Sequence, residues 1–315
     1  MVRRISCVMM ATRSTRGRRA WAWMAAAAGA MSLASAVAAG QTAQGKPWAD
    51  YGQLGGCSEE PAKFHKCALE KAKTFNPPRT PDGTPDLRGV WSRARVSSHN
   101  VEEHLASFGD PGGVSMVVDP PDGKIPYQPW ARAQRDSNHH TYVDPQALCF
   151  LPGVGRQAYV PGPYQIFQSP GYVVFIYEYS HAYRVIYTDD RPHVGESIKL
   201  SMGHSVGRWE GNALVVDVTN VNAKNWLDDA GNFYSDAARA VERWTLIDND
   251  AIHYEVTFED PKVYTRSWKM AFGIRRSEDR DFQMMESACY EGNQRTQQGL
   301  FSNGLKPYLG IVPPK

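Results

Sequence analysis

Ionisable side chains interrupt the apolar runs of the segment from Tyr164 to Asp229 and of the strand that follows it. Burying such a group alone is costly, so each must be paired or must face a wet cavity. We therefore expect the functional site here. The candidate proton-transfer residues are His181, Asp217, Glu178 and Glu242. The candidate substrate-binding residues are Arg184, Tyr183, Arg208, Trp209, Trp226, Asp228 and Arg243.

Two of these charges lie close together in the sequence. A short turn at Tyr179–His181 should bring Glu178 near Arg184. The pair is either a structural ion pair at the end of a barrel, or an arginine that binds an anionic or carbonyl oxygen and is oriented by the glutamate. Histidine is a side chain that commonly serves as acid, base or ligand, so His181 is a candidate for proton transfer.

Asp217 and Glu242 each lie inside an apolar strand pattern. Two interpretations are open. They are paired carboxylates of the general acid/base kind, or they are neutralised by arginines in a charge network inside a barrel. The arginines available for such a network are Arg184, Arg208 and Arg243.

Motifs for other chemistries are weak. His181, His193 and His204, with Asp189 and Asp190, could hold a metal, but they lack a recognised ligand spacing. The sequence contains no Gly-x-Ser-x-Gly motif and no phosphate-binding loop, and its strands do not alternate with helices as in dinucleotide-binding folds. We expect no metal and no cofactor.

The elements that must position these residues are mostly β-strands joined by tight turns. Turn sequences such as Ser169-Pro170-Gly171 and Glu210-Gly211-Asn212 favour antiparallel hairpins. The predicted strands are Leu87–Trp91, Tyr164–Gln168, Tyr172–Tyr179, Ala182–Thr188, His204–Glu210, Ala213–Thr219, Ala240–Asp248, Ile252–Glu259, Arg266–Gly273 and Phe282–Ala288. The sequence therefore predicts a mainly β, lipocalin-like fold: an antiparallel up-and-down barrel or a strongly curled sheet, with a sandwich as the alternative.

Three regions follow from this pattern. Residues 1–39 are predicted to be a cleaved export signal, residues 40–163 an irregular N-terminal extension, and residues 164–315 the β-barrel domain. Helical spacing and proline at the first turn predict one helix within Ser58–Lys73. Shorter helices are expected at Pro129–Asp136 and Ser235–Ala240.

The first 39 residues have the composition of an export signal. A basic head without acidic residues precedes an Ala-rich apolar run that ends in Ala36-Val37-Ala38, a pattern that export peptidases cut. A transmembrane anchor is the alternative. Six of the 35 basic residues lie in this leader, which leaves 29 against 33 acidic residues, a net charge of −4. That balance argues against a nucleic-acid partner. We expect no stable membrane insertion after cleavage, and the oligomeric state stays open.

Four cysteines follow the leader. An even number in an exported chain predicts two disulfides. The short loop between Cys57 and Cys67 favours that pair, which would leave Cys149 to pair with Cys289. A zinc site is the alternative, although the chain has no Cys-x-x-Cys unit.

Several longer motifs resemble those of a family of exported, largely uncharacterised bacterial proteins. They are TPDGTPDLRGVW at residues 80–91, DPQALCFLPG at 144–153 and SVGRWEGNALVVD at 205–217. The resemblance implies a secreted or periplasmic protein and no particular reaction. This chain has Asn212 where the family usually has aspartate, and Tyr234 where it usually has histidine.

Taken together, these patterns predict an exported β-barrel enzyme that uses acid/base chemistry on a small organic or carbohydrate-derived substrate. Hydrolase, lyase and isomerase chemistry all remain open. The alternatives are a lipocalin-like carrier or sensor without catalysis, and a structural protein with a filled barrel. A polar cavity around His181, Arg184 and Asp217 would favour the enzyme.

Overall fold

The computed structural model describes residues 51–94, 96–106, 112–279, 281–291, 293–311 and 313–314. The predicted export signal lies outside these residues. The described residues belong to one compact unit. No helix among them is long and apolar enough to cross a bilayer.

The fold is mainly β. The strands are β1 Gln53–Leu54, β2 Cys57–Ser58, β3 Gly89–Arg93, β4 Val117–Asp119, β5 Tyr142–Val143, β6 Tyr164–Ser169, β7 Tyr172–Tyr177, β8 Tyr183–Tyr187, β9 His204–Glu210, β10 Ala213–Thr219, β11 Arg239–Asp248, β12 Ala251–Glu259, β13 Trp268–Arg276 and β14 Lys306–Pro307. The helices are α1 Pro61–Ala72, α2 Pro129–Thr141 and α3 Gln294–Ser302. Short 3₁₀ turns lie at Pro145–Leu148, Arg156–Ala158 and Tyr179–His181.

Nine strands close into a barrel in the order β12, β11, β10, β9, β8, β7, β6, β3, β13, with β13 pairing back onto β12. The barrel form of the predicted fold is therefore confirmed. Neighbours pair antiparallel except β8 and β9, which meet in parallel at Tyr187 and Val206. The chain between them, residues 188–203, is a loop rather than a hairpin turn, so it can bring β9 back in the same direction.

The predicted strand limits hold best where tight turns define them. β9 and β10 match their predicted limits, and Gly211-Asn212 joins them as a two-residue turn between Glu210 and Ala213. The prediction of a strand at Phe282–Ala288 is wrong, because the structure has no strand there. β13 already pairs with β12 on one side and with β3 and β4 on the other, so β13 itself has no edge left for a further strand.

The helix predictions were partly right. α1 lies within the predicted range, and α2 is longer than predicted. No helix forms at Ser235–Ala240, where a turn leads directly into β11. The barrel also takes one strand, β3, from before residue 164.

Large side chains fill the inside of the barrel. Alternate residues of each strand point inward, and the largest of them are fully buried: Trp91, Tyr164, Phe175, Trp244, Tyr254, Phe258, Trp268 and Phe272. Their rings contact one another, as between Phe175 and Trp244 (centroids 4.8 Å apart) and between Trp244 and Tyr254 (4.6 Å). The barrel interior is therefore a packed core.

Both predicted disulfides are present. Cys57 is bonded to Cys67, which ties β2 to α1. Cys149 is bonded to Cys289, which ties the loop after Leu148 to the C-terminal segment. That segment continues into α3 and then β14, which pairs in parallel with β5.

Candidate functional site

Arg184 and Glu242 form a buried ion pair inside the barrel. Arg184 donates from Nη1 to Glu242 Oε1 (3.1 Å) and from Nη2 to Oε2, while its Nε donates to Ser205 Oγ (2.9 Å). Tyr254 Oη also donates to Glu242 Oε1 (2.8 Å). Burial alone would lower the pKa of Arg184, but the neighbouring Glu242 carboxylate raises it above its ordinary value. The pair is enclosed and saturated with partners, as a structural ion pair is.

The other predicted partnerships do not form. Glu178 does not pair with Arg184; it accepts instead from the backbone N–H of Met285 (2.9 Å). Asp217 and Glu242 are not paired carboxylates, because Asp217 lies opposite Val241 and Glu242 opposite Val216, which places them on opposite faces of the sheet.

Asp217 is on the outer face of the barrel. It accepts two hydrogen bonds from Arg239 (2.8 and 2.9 Å), and His193 Nε2 lies 3.5 Å from its Oδ2. Burial raises the pKa of Asp217, but Arg239 and His193 together hold it below its ordinary value. Arg208 and Arg243 also lie outside the barrel, where both bind Glu210. The predicted network therefore divides into one interior pair and separate surface pairs.

The remaining predicted residues are spread over the molecule. His181 is exposed, and Tyr183 is 71% exposed. Trp209 is partly buried against the core. Trp226 and Asp228 are buried in a hairpin in which Trp226 pairs with Phe233. His181, Arg184 and Asp217 thus share no cavity.

A different cluster of charges lies beside that hairpin. Arg156 is buried and binds Asp144 through two hydrogen bonds, Nη1 to Oδ1 (2.9 Å) and Nη2 to Oδ2 (2.7 Å). The same Nη2 also donates to Asp229 Oδ1. His99 Nδ1 lies 3.7 Å from the other oxygen of Asp229. Two carboxylates therefore share one buried guanidinium.

Local backbone structure fixes each member of this cluster. Asp144 caps the 3₁₀ turn at Pro145–Leu148 by accepting from Gln146 N (2.9 Å). Gly155 precedes Arg156 with φ of 79°, and a side chain there would stand 2.7 Å from Phe258 Cζ. Only glycine fits this turn without strain. The turn therefore determines the direction from which the Arg156 side chain reaches Asp144 and Asp229.

The neighbouring Asp228 anchors Asp229. It is fully buried, and its carboxylate accepts from Val101 N (2.8 Å), from Asn232 N (3.1 Å) and from Asn232 Nδ2 (2.6 Å). Burial raises the pKa of Asp228. With its acceptors occupied, Asp228 is suited to positioning the hairpin, and Asp229 is the residue that reaches solvent, with a side chain 43% exposed.

The two carboxyl groups that share Arg156 differ in acidity. Burial raises the pKa of Asp144. Burial also raises the pKa of Asp229, but its hydrogen bond to His99 and the charge of Arg156 outweigh this and lower the pKa overall. Two carboxyl groups with opposite pKa shifts are a recurring feature of acid/base sites.

These groups line a cleft of about 350 Å³. Its polar wall contains His139, Asp144, Gln146 and Asp229, and its aromatic wall contains Tyr142, Tyr179 and Trp226. Leu300 of α3 and Leu305 line it too, held over the cleft by the Cys149–Cys289 disulfide. Gln146 Nε2 donates to Tyr179 Oη (2.8 Å), whereas the buried Gln146 Oε1 has no partner among the described residues. The size and mixed lining suit a small organic molecule.

A larger cavity, of about 820 Å³, lies between the start of α2 and residues 259–267. Asp260 accepts from Ser235 N and Oγ, Arg266 donates to Asp119, and Glu259 lies 3.9 Å from Arg239. The residues that line this cavity include no buried arginine shared by two carboxylates.

The sequence reasoning missed Asp144, Arg156 and Asp229 because their segments contain few periodic runs. Two local signals were present: Asp144-Pro145, which is typical of a capped turn, and the glycine pair before Arg156. No signal in the sequence indicated that they meet, since Arg156 and Asp229 are 73 residues apart.

No family model matches this chain, and neither a curated protein nor a solved structure matches it.

Proposed function

We propose that this chain is an exported enzyme that performs acid/base chemistry on a small organic or carbohydrate-derived substrate in the cleft of Asp144, Arg156 and Asp229. The observation that carries the proposal is the buried arginine shared by two carboxyl groups, one of which is half-exposed at a solvent-accessible cleft. Hydrolase, lyase and isomerase chemistry fit it equally.

Each residue has a distinct role in this proposal. Asp229, ionised and half-exposed, accepts a proton from the substrate or from a water molecule. His99, whose Nδ1 lies 3.7 Å from the second oxygen of Asp229, stabilises the charge of Asp229. Arg156 orients Asp229 through its Nη2, and Asp144 holds Arg156 in place. Tyr179 and Trp226 form the flat wall on which a ring stacks.

A secreted or periplasmic location belongs to the same proposal. It is supported by the two disulfides, since such bonds persist in oxidising compartments. The export-signal pattern of residues 1–39 supports it independently.

The second candidate is a carrier or sensor that binds its ligand in the same cleft without turnover. The aromatic and leucine side chains on the cleft wall favour it, because they offer apolar contact to a flat ligand. The packed barrel core argues against a lipocalin-like ligand site inside the barrel.

The test is to incubate the purified, disulfide-bonded protein with metabolite and oligosaccharide pools and to follow substrate loss by mass spectrometry. Asp229→Asn should lower kcat/KM by about 100-fold or more, the range for removing a general base. Asp217→Asn is the matched control, because it makes the same change on the outer face of the barrel.

Loss of turnover in Asp217→Asn but not in Asp229→Asn would contradict the proposed cleft and return the chemistry to Asp217. Ligand binding that depends on Trp226 and persists in Asp229→Asn, without turnover in any variant, would favour the carrier.

A further inference from the structure

His65, His253 and Glu255 form a second cluster, which shares no residue with the cleft of Asp144 and Asp229. Their ligating atoms all lie within 4.8 Å of one another. His65 Nδ1 is 2.9 Å from His253 Nε2 and 3.7 Å from Glu255 Oε2. At 2.9 Å one of the two ring nitrogens carries the proton of a hydrogen bond between them, and a bound ion would replace that proton.

The fold brings these three side chains together from two elements. His253 and Glu255 are two residues apart on β12, so both point to the outer face of the barrel. α1 packs over that face and carries His65. Gly273, which lies opposite His253 on β13, allows this close approach, because a side chain there would stand 2.6 Å from Leu54 and 2.9 Å from Phe64. The Cys57–Cys67 disulfide fixes the helix two residues beyond His65.

We propose that His65, His253 and Glu255 bind one divalent transition-metal ion, with zinc as the first choice from the donor chemistry. Two imidazole nitrogens and one carboxylate oxygen are a ligand set that zinc and related ions take in proteins. At a metal–nitrogen length of about 2.05 Å, nitrogens 2.9 Å apart subtend an angle of about 90° at the ion, so the two imidazoles must move slightly apart to reach the tetrahedral angle that zinc prefers. The four described cysteines are all in disulfides, so no thiolate of theirs competes.

The cluster borders a pocket, so three protein ligands need not close the coordination shell. A cavity of about 220 Å³ is lined by His253 and Glu255. Leu69 and Ala72 of α1 line it as well, and their spacing of four and seven residues from His65 places all three on one helix face. An ion here would keep a position open to water or to a small anion.

One cation competes with the metal for the carboxylate. Lys269 Nζ lies 3.2 Å from Glu255 Oε2, the oxygen that faces His65. Arg243 Nε is 3.8 Å from the other oxygen but is engaged with Glu210. Lys269 is partly exposed, so its ammonium group can swing into water when an ion binds. Removing this charge should strengthen binding.

A second histidine pair provides a comparison. His193 Nδ1 and His204 Nδ1 are 3.0 Å apart on the outer surface. Their carboxylate, Asp217, lies against the opposite nitrogen of His193 and is already bound by Arg239. The His193–His204 pair therefore brings only two potential ligand atoms together, whereas the His65 cluster brings three.

The experiment measures zinc affinity of the untagged, disulfide-bonded protein by competition with a chromophoric chelator, and bound metal by elemental analysis after dialysis. The variants are His65→Gln, Glu255→Gln and Lys269→Met, with His204→Gln as the matched control. His65 is chosen over the more buried His253 so that the variant folds. Circular dichroism and melting in excess chelator check that each variant is folded.

We expect one zinc per chain. His65→Gln and Glu255→Gln should each weaken binding by at least about tenfold, His204→Gln should leave it unchanged, and Lys269→Met should tighten it. Zinc should raise the melting temperature of the wild type but not of His65→Gln. The proposal is overturned if the wild type binds no zinc at micromolar concentrations, or if His65→Gln binds it as tightly as the wild type.

Discussion

Replacing Glu242 with glutamine should destabilise the protein strongly, because it leaves the buried charge of Arg184 without a counter-ion. In the wild type, Glu242 accepts from two nitrogens of Arg184 and from Tyr254. The glutamine amide can still accept at one oxygen, but its NH₂ group faces a donor of Arg184. Breaking a buried pair in this way costs about 3–5 kcal/mol in the free energy of unfolding.

A double replacement should cost less than the sum of its two single replacements. Arg184→Met with Glu242→Met removes both charges and fills similar volume, whereas either change alone leaves one buried charge without its partner. Ser205 and Tyr254 then each lose a partner, at a cost of about 1–3 kcal/mol per group. The double-mutant cycle of these methionine variants should therefore show a coupling energy of about 2 kcal/mol or more.

The assay is urea or thermal unfolding at pH 7 with the disulfides intact. For Glu242→Gln the melting temperature should fall by roughly 10 °C, from about 2–4 °C per kcal/mol for a chain of this size. Single variants that each cost less than about 1 kcal/mol and combine additively would refute the structural role of the pair. Arg184 and Glu242 would then again be candidates for a functional site.

Three further predictions concern the cleft and the segments that form it. Replacing Cys149 and Cys289 together with serine should lower the free energy of unfolding by up to about 5 kcal/mol, since their bond closes a loop with a sequence separation of 140 residues. Hydrogen exchange should rise in α3 while the barrel strands stay protected. Equal exchange in α3 and in the barrel strands would contradict this prediction. Gly155→Ala should lower the free energy of unfolding by about 1–3 kcal/mol, because the φ of 79° at this position and the nearby Phe258 ring both disfavour a side chain. Gly211→Ala is the control: Gly211 also has a positive φ but open space around it, so this variant should lose less stability. Because His99 and Arg156 hold the pKa of Asp229 below its ordinary value, its carboxylate stays ionised as the pH falls from 7 to about 5, and the base-dependent rate should be constant over that range. Arg156→Met should move the acidic limb of the pH–rate profile to higher pH. If that limb does not move, Asp229 is not the titrating base.

The barrel was predictable from the sequence because its signals are local. A two-residue turn at Gly211-Asn212 and alternating apolar residues fix β9 and β10 without reference to the rest of the chain. The closing strand was not predictable in this way. β3 pairs with β6 and β13, and nothing within its own five residues indicates those partners.

The partners of the charged residues were less predictable for the same reason. Arg184 lies six residues from Glu178 but pairs with Glu242, 58 residues away, because strand register and barrel closure decide which inward-pointing groups meet. Likewise, His65 and His253 are 188 residues apart, and they meet only because α1 packs on the outer face of β12. Sequence identifies which residues carry charge; the closed sheet determines which of them touch.

Two buried arginines, Arg184 and Arg156, differ in how far their partners reach solvent. Arg184 makes its hydrogen bonds to Glu242 and Ser205 from Nε and both terminal nitrogens, and its partners are themselves buried. Arg156 is equally buried, but its Nε has no partner among the described residues and one of its carboxylates is half-exposed at a cleft. A saturated, enclosed charge contributes to specifying the fold. Arg156 binds a carboxylate that also reaches solvent, so an acceptor is left for a substrate, and this is why we propose the site at Asp144, Arg156 and Asp229.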